Sequence, residues 1–314
     1  MHFDVAPAFF LLGALAALVK ADLKFPPSLY QSLTLFLLVA IGLKGGVALA
    51  AHGNSDVIWE ALAVVSLGVV LPLLAFPLLR KLGQLGKEDA ASIAAHYGSV
   101  SVGTYAVAVA MLEAFNISYE AYFPLFVVLL EMPAIVVGLA LARGTGKDSG
   151  YNYRELLHEI FCNQGIVLMS GALLIGYLAG PGADSVMPLF GGMFHGLLAL
   201  FLLQLGVVAA SRLAEIRLNA PFVTAFAVLM PLIGATLGAL LGEFIGFSVG
   251  GVILLAVLGG SASYIAVPAV MQSALPDANH SLSIAASLGV TFPFNVLVGI
   301  PLYIAVITYF KPVT

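Results

Sequence analysis

Long apolar runs, each closed by a short polar or Gly/Pro-rich interval, fill the chain from one end to the other. They predict helices near 6–19, 29–51, 57–79, 89–113, 120–142, 160–179, 188–210, 219–241, 248–274 and 280–309. A helix needs roughly 20 apolar residues to cross a bilayer, so about ten crossings use nearly the whole length and leave no room for a soluble domain. Barrel strands would alternate apolar and polar positions over segments of about 10 residues. The stretch Ala121-Tyr122-Phe123-Pro124-Leu125-Phe126-Val127-Val128 does not alternate. The expected fold class is therefore an all-α integral membrane protein. The first apolar stretch, from about Pro7 to Val19, lacks a basic segment before it and a small-residue cleavage site after it, which favours a retained helix over a removed signal peptide.

Composition agrees with this pattern and narrows the function. With 61% hydrophobic and 9% charged residues and a mean hydropathy of +1.08, the 314-residue chain has too little polar surface to cover a water-soluble globule. Lipid is the expected solvent. The net charge of −4 and the lack of a basic run argue against nucleic acid. A single cysteine, Cys162, excludes an intramolecular disulfide and a cysteine zinc cluster. No HExxH motif, mid-span Asp pair or Ser/His dyad fixed by spacing is present, so no enzyme class is indicated and no cofactor is expected.

The charges also orient the chain. Of its 12 basic residues, Lys20, Lys24, Arg80, Lys81, Lys87, Arg143, Lys147, Arg154, Arg212 and Arg217 fall into alternate connections. The intervening connections carry Asp56, Glu60, Glu113, Glu120, Asp184 and Glu243 with no basic residue. Basic loops stay cytoplasmic, which puts both termini outside a bacterial cytoplasmic (inner) membrane. The connection around Asp277 should be cytoplasmic yet has no basic residue.

The chain further divides into two similar parts, 1–143 and 160–314, joined by a polar cytoplasmic linker over 144–159. At a displacement of about 160 residues, Thr34-Leu35-Phe36-Leu37-Leu38 returns as Ala199-Leu200-Phe201-Leu202-Leu203, Pro72 as Pro231, Ser99-Val100-Ser101 as Ser261-Ala262-Ser263, and Pro133 as Pro293. Five spans per half is an odd number, so the halves enter the membrane from opposite sides. Inverted repeats of this kind are a common plan of secondary transporters.

In both halves the fourth span is interrupted by small and hydroxyl residues, over Gly98 to Thr104 and Gly259 to Pro268. Such clusters either let helices pack closely or mark breaks that line a polar cavity. The symmetric pair favours breaks. A break frees amides at the start of the next half-helix for an anion and carbonyls at the end of the preceding one for a cation. Ionisable residues at membrane depth are also informative, because each costs about 2.5 kcal/mol or more to insert. Glu131 stands two residues before Pro133, which frees the carbonyl of Leu129. The carboxylate is either a sodium ligand or a structural group held by a hydrogen bond or an ion pair, with Lys44 a candidate partner. Lys44 itself either snorkels to an interface or acts in the site. His96, in the turn before the first break, and His195 are packed helix residues or ligands. Asn295, after Pro293, is the counterpart of the Glu131 region and a candidate polar contact.

On Ile41-Gly42-Leu43-Lys44-Gly45-Gly46, Gly98 to Thr104, Tyr119-Glu120-Ala121-Tyr122, Glu131-Met132-Pro133-Ala134 and Gly260-Ser261-Ala262-Ser263 with Pro268, the chain resembles the sodium-dependent bicarbonate transporter family along its whole length. The resemblance implies ten helices in two inverted repeats with two crossing broken helices, a homotrimer in lipid, and sodium-driven bicarbonate uptake. It places Ser99, Ser101, Gly103 and Thr104 at one broken helix and Ser261 and Ser263 at the other, as the substrate site. Glu131, Thr104, Ser263 and Asn295 are the corresponding sodium candidates. Cyanobacterial members carry Asp at the position of Glu131 and another Asp at that of Tyr264, which suggests a different branch and alters a sodium site using the second Asp. The short linker argues against a PII-like regulatory partner. The alternative within transport is sodium-coupled symport of another small organic or inorganic anion. A channel or passive scaffold would show uptake that ignores the sodium gradient.

Overall fold

The computed structural model describes residues 5–21, 23, 25–52, 56–143, 162–216 and 221–312, and among these it is helical with no strand. The expected linker, 144–159, lies outside the described residues. The first part consists of α1 (Val5–Leu18), α2 (Pro27–His52), α3 (Asp56–Pro77), the interrupted pair α4 (Lys87–Gly98) and α5 (Val102–Ala114), and α6 (Pro124–Arg143). The second consists of α7 (Gln164–Ala179), α8 (Phe194–Ile216), α9 (Pro221–Ile245), the interrupted pair α10 (Val249–Gly259) and α11 (Ala266–Ala274), and α12, which runs over His280–Phe310. Among the described residues 7 helices are long and apolar enough to cross a membrane, and α1 and α10 are shorter apolar helices. The helix expected over 188–210 is displaced to Phe194–Ile216, because Met187–Phe190 forms its own short turn of helix ahead of the glycines at 191 and 192.

Proline sets several of the boundaries and bends. Pro27, Pro124 and Pro221 open their helices, where the missing N–H has no intrahelical role. Pro72, Pro133 and Pro231 lie inside helices, and each packs against a small residue of a neighbour. A Cβ at Gly68 would come within 3.2 Å of the Pro133 ring, one at Gly98 would strike the Pro72 ring, and one at Gly260 would stand 2.8 Å from the Pro231 carbonyl. The two breaks are thus each braced by a proline of the preceding span. In α12 the turns over Ala285–Thr291 and Asn295–Gly299 open to π-helical width on either side of Pro293.

Two groups of helices result. α1 packs on α8 and α2 on α7, while α3, α4 and α6 form one cluster and α9, α10 and α12 another. Lipid supplies no hydrophobic drive between helices, so close backbone approach carries these contacts. Gly42 meets the Met169 carbonyl and Gly234 meets the Gly259 carbonyl with no room for a side chain. Acidic residues gather at one end, where Lys44 and Lys311 pair with Glu113 and Glu243. At that end Tyr122 donates to Glu60 at 2.8 Å and the Ser248 amide donates to Glu120 at 2.7 Å. Arg80 and Lys81 after α3, Lys87 at the start of α4 and Arg143 at the end of α6 mark the other.

Candidate functional site

The first break is shorter than its sequence suggests. Only Ser99, Val100 and Ser101 leave the helix; Gly103 and Thr104 already belong to the first turn of α5. Ser101 is extended (φ −110°, ψ 114°), and its Oγ caps α5 by accepting from the Thr104 amide at 3.0 Å and the Thr104 hydroxyl at 2.9 Å. The amides of Val102 and Gly103, at the first two helical positions, have no intrahelical acceptor. The second break covers Gly260 to Ile265, and Pro268 sits in the first turn of α11 rather than in the break. There Ser263 Oγ accepts weakly from the Val267 amide at 3.4 Å.

These two breaks meet. The Ser101 amide donates to Ser261 Oγ at 3.1 Å, and Ser261 Oγ donates to the Leu258 carbonyl at 2.8 Å. The Ser263 amide donates to the His96 carbonyl at 2.8 Å, while His96 Nδ1 lies 2.6 Å from the Ser263 carbonyl. Ser99, Ser101, Thr104, Ser261, Ser263 and His96 are all buried. Asn295 supports the second break from α12: its Nδ2 donates to the Gly260 carbonyl at 2.7 Å, and its Oδ1 accepts from Tyr303 at 3.2 Å. Around this centre Tyr97 and Thr291 join at 2.7 Å, and Ser92 and Ser283 at 3.1 Å, tying α4 to α12. Thr291 and Ser283 give no signal in the sequence, since one hydroxyl in an apolar helix is ordinary.

Three buried polar atoms at the crossing have no hydrogen-bonding partner, Ser99 Oγ, His96 Nε2 and the Tyr264 hydroxyl. Buried polar groups are nearly always paired, so such atoms point to something that fills the site. Glu131 Oε2, in α6, is another; the side chain is 3% exposed. The hydrogen bonds that knit the crossing include Thr104, Ser263 and Asn295 but not Glu131.

A cavity of about 330 Å³ reaches the second break at Tyr264 and Ile265 from the end where α2 and α7 begin, lined by Tyr30, Gln31, Thr34 and Gln164. Tyr264 closes its inner end. The ring packs edge-on against Phe292, with centroids 5.3 Å apart, and the hydroxyl lies against Gly103 beside Ser101. A smaller cavity of about 90 Å³ lies farther along α2, between Lys44, Tyr105, Tyr119 and Phe194. Lys44 does not pair with Glu131. Its Nζ is 3.5 Å from Glu113 Oε1 and 5.0 Å from the Phe194 ring centre, because α2 carries it toward the acidic end of α5. His195 Nε2 meets Glu113 Oε2 at 3.1 Å, and Tyr119 donates to Oε1 at 3.2 Å. Burial, and then the Glu113 carboxylate, push the Tyr119 phenol above its ordinary pKa, so it remains a donor. Glu113 as the hub of this cluster was not foreseen from the sequence.

Two interrupted helices crossing inside the bundle, with buried unpaired polar atoms at the crossing and cavities on either side along α2, define a helical membrane carrier of the broken-helix class. Residues 6–308 match the family model described as the Na+-dependent bicarbonate transporter superfamily, and the chain belongs to that family. A search of curated proteins gives no match.

Proposed function

We propose that this chain couples the inward movement of sodium to uptake of bicarbonate, and that the anion sits where the two breaks cross. The observation that carries this reading is the crossing itself. It offers an anion the Val102 and Gly103 amides at the positive end of α5 and the unpartnered Ser99 hydroxyl. The Tyr97 and Gly98 carbonyls, past the last donor of α4, and the buried Glu131 carboxylate are the groups that suit sodium. Ten spans in two inverted repeats, 1–143 and 160–314, belong to the same proposal. Its support is the matched bracing of the breaks, Pro72 at Gly98 and Pro231 at Gly260. The basic end faces the cytoplasm, so the 330 Å³ cavity opens inward.

The test is labelled bicarbonate uptake into proteoliposomes, with sodium outside against potassium outside. Sodium-dependent uptake is expected from the parent and from Ser66→Leu, whose side chain lies on α3 away from the crossing. Ser101→Leu and Ser263→Leu should abolish it, since each adds bulk to a buried site and deletes a hydroxyl. Uptake indifferent to sodium would refute the coupling. Sodium-driven uptake of a different small anion would replace the substrate while keeping the site.

A further inference from the structure

We infer that His96 reads the hydroxyl proton of the transported anion, so that the site selects oxyanions carrying one O–H over oxyanions of similar size that carry none. The inference rests on the proposed function for its location and goes beyond it in naming what distinguishes the substrate.

The argument begins with the tautomer. His96 Nδ1 is 2.6 Å from the Ser263 carbonyl oxygen. A carbonyl only accepts, so Nδ1 carries the proton and donates. The ring is 0% exposed, and none of the hydrogen bonds it makes goes to a carboxylate. A neutral imidazole protonated at Nδ1 has a bare lone pair at Nε2, which makes that atom an acceptor. Nε2 is buried with no partner. It is therefore an acceptor held in place by the second break, on a ring that stands at the crossing, waiting for a donor.

The other groups that the crossing offers an anion are donors or can act as donors: the Val102 and Gly103 amides and the Ser99 and Tyr264 hydroxyls. Donors alone serve nitrate, formate and bicarbonate equally, since all three present planar acceptor oxygens. An acceptor breaks the tie. Bicarbonate has one O–H to give it, whereas an oxygen of nitrate or formate placed against the Nε2 lone pair would be repelled and would leave both atoms unpaired. Sites built to pair a substrate hydroxyl reject analogues that lack it far more strongly than sites that discriminate by size. The ring cannot turn to avoid this, because the same rotation would break the bond to Ser263. One residue thus joins the second break to α4 and sets the polarity of the site.

The test is binding of bicarbonate, bisulfite, nitrate and formate to purified parent and His96→Asn, at one fixed pH and saturating sodium, followed by calorimetry. Asn keeps an N–H where Nδ1 stands, and so the bond to Ser263, but has nothing at Nε2. The parent should bind bicarbonate and bisulfite at least about tenfold more tightly than nitrate and formate. His96→Asn should lose most of that ratio, with weaker binding of bicarbonate and bisulfite and nitrate and formate bound no less tightly than by the parent. If the parent binds all four alike, the inference is overturned whether or not the variant folds. If the parent discriminates and His96→Asn discriminates equally, it is also overturned, and Nε2 is satisfied by a buried water instead. If the parent ignores bicarbonate but shows a His96-dependent preference for bisulfite over nitrate, the proposed substrate falls and this inference stands.

Discussion

Replacing Glu131 by Gln keeps the shape of the side chain and removes its charge. The parent carboxylate is 3% exposed, and its Oε2 has no hydrogen-bonding partner. Lys44, the cation that might have balanced it, is held by Glu113 instead. An uncompensated charge buried in protein costs several kcal/mol even after relaxation, and a bound cation is the natural offset. A contact to a charged group contributes roughly 1.5–3 kcal/mol, and each 1.4 kcal/mol is a factor of ten in affinity. Glu131→Gln should therefore raise the sodium concentration for half-maximal uptake by about ten- to a hundredfold, read from initial rates of labelled bicarbonate uptake. Stability supplies an independent check. Sodium that binds only the folded parent raises its Tm by mass action, and the variant should lose most of that rise. In sodium-free buffer the variant should melt no lower than the parent, because an amide costs less to bury than an unpaired carboxylate. An unchanged sodium dependence, or a variant that melts lower without sodium, would refute the reasoning and leave Glu131 a structural residue.

Gly103→Ala places a methyl group against the Tyr264 hydroxyl and 3.1 Å from Phe201, so it should lower uptake, and Tyr264→Phe in the same chain should restore part of the loss by removing the clashing oxygen. If both single variants are silent, Tyr264 does not close the cavity. Gly234→Ala drives a methyl group into the backbone carbonyl of Gly259, which cannot rotate away, and should cost about 1–3 kcal/mol, visible as a lower Tm in detergent. Cys162 is exposed at the start of α7, so in intact cells a membrane-impermeant maleimide should leave it unlabelled while a permeant one labels it; the reverse would invert the proposed orientation.

Hydropathy exposed the helices and the paired breaks because both follow from rules that act locally. A span must satisfy its own backbone, and a cluster such as Gly98-Ser99-Val100-Ser101 stands out against apolar neighbours. The extent of each break was less legible. Ser101 caps α5 through Thr104, which pulls Gly103 and Thr104 into the helix, and the cap depends on a backbone conformation that composition does not reveal. Long-range partners were hidden altogether. Lys44 could be suspected of pairing with Glu131 because both are charged and intramembrane, but the choice of Glu113 follows from how α2 lies against α5. The role of His96 was equally hidden, since it depends on Ser263, 167 residues away.

The chemistry of the crossing also bears on why two ions would move together. Its hydrogen bonds come from backbone groups, hydroxyls, an amide and an imidazole held by Ser263. Lys44 is engaged by Glu113 and Lys311 by Glu243, so neither supplies a fixed positive charge there. On the proposed function, an anion entering alone would leave water for a site of neutral dipoles already facing the Glu131 carboxylate, which is unfavourable at low dielectric. Sodium beside Glu131 reverses that field and makes the same dipoles sufficient. The converse holds as well, because linkage requires the anion to raise sodium affinity by the same factor. A carrier with a lysine at the crossing would bind the anion without sodium and so uncouple the gradient from uptake. The absence of Lys and Arg from the hydrogen-bonded crossing, among the described residues, is therefore what lets one buried carboxylate and its cation control the binding of the anion.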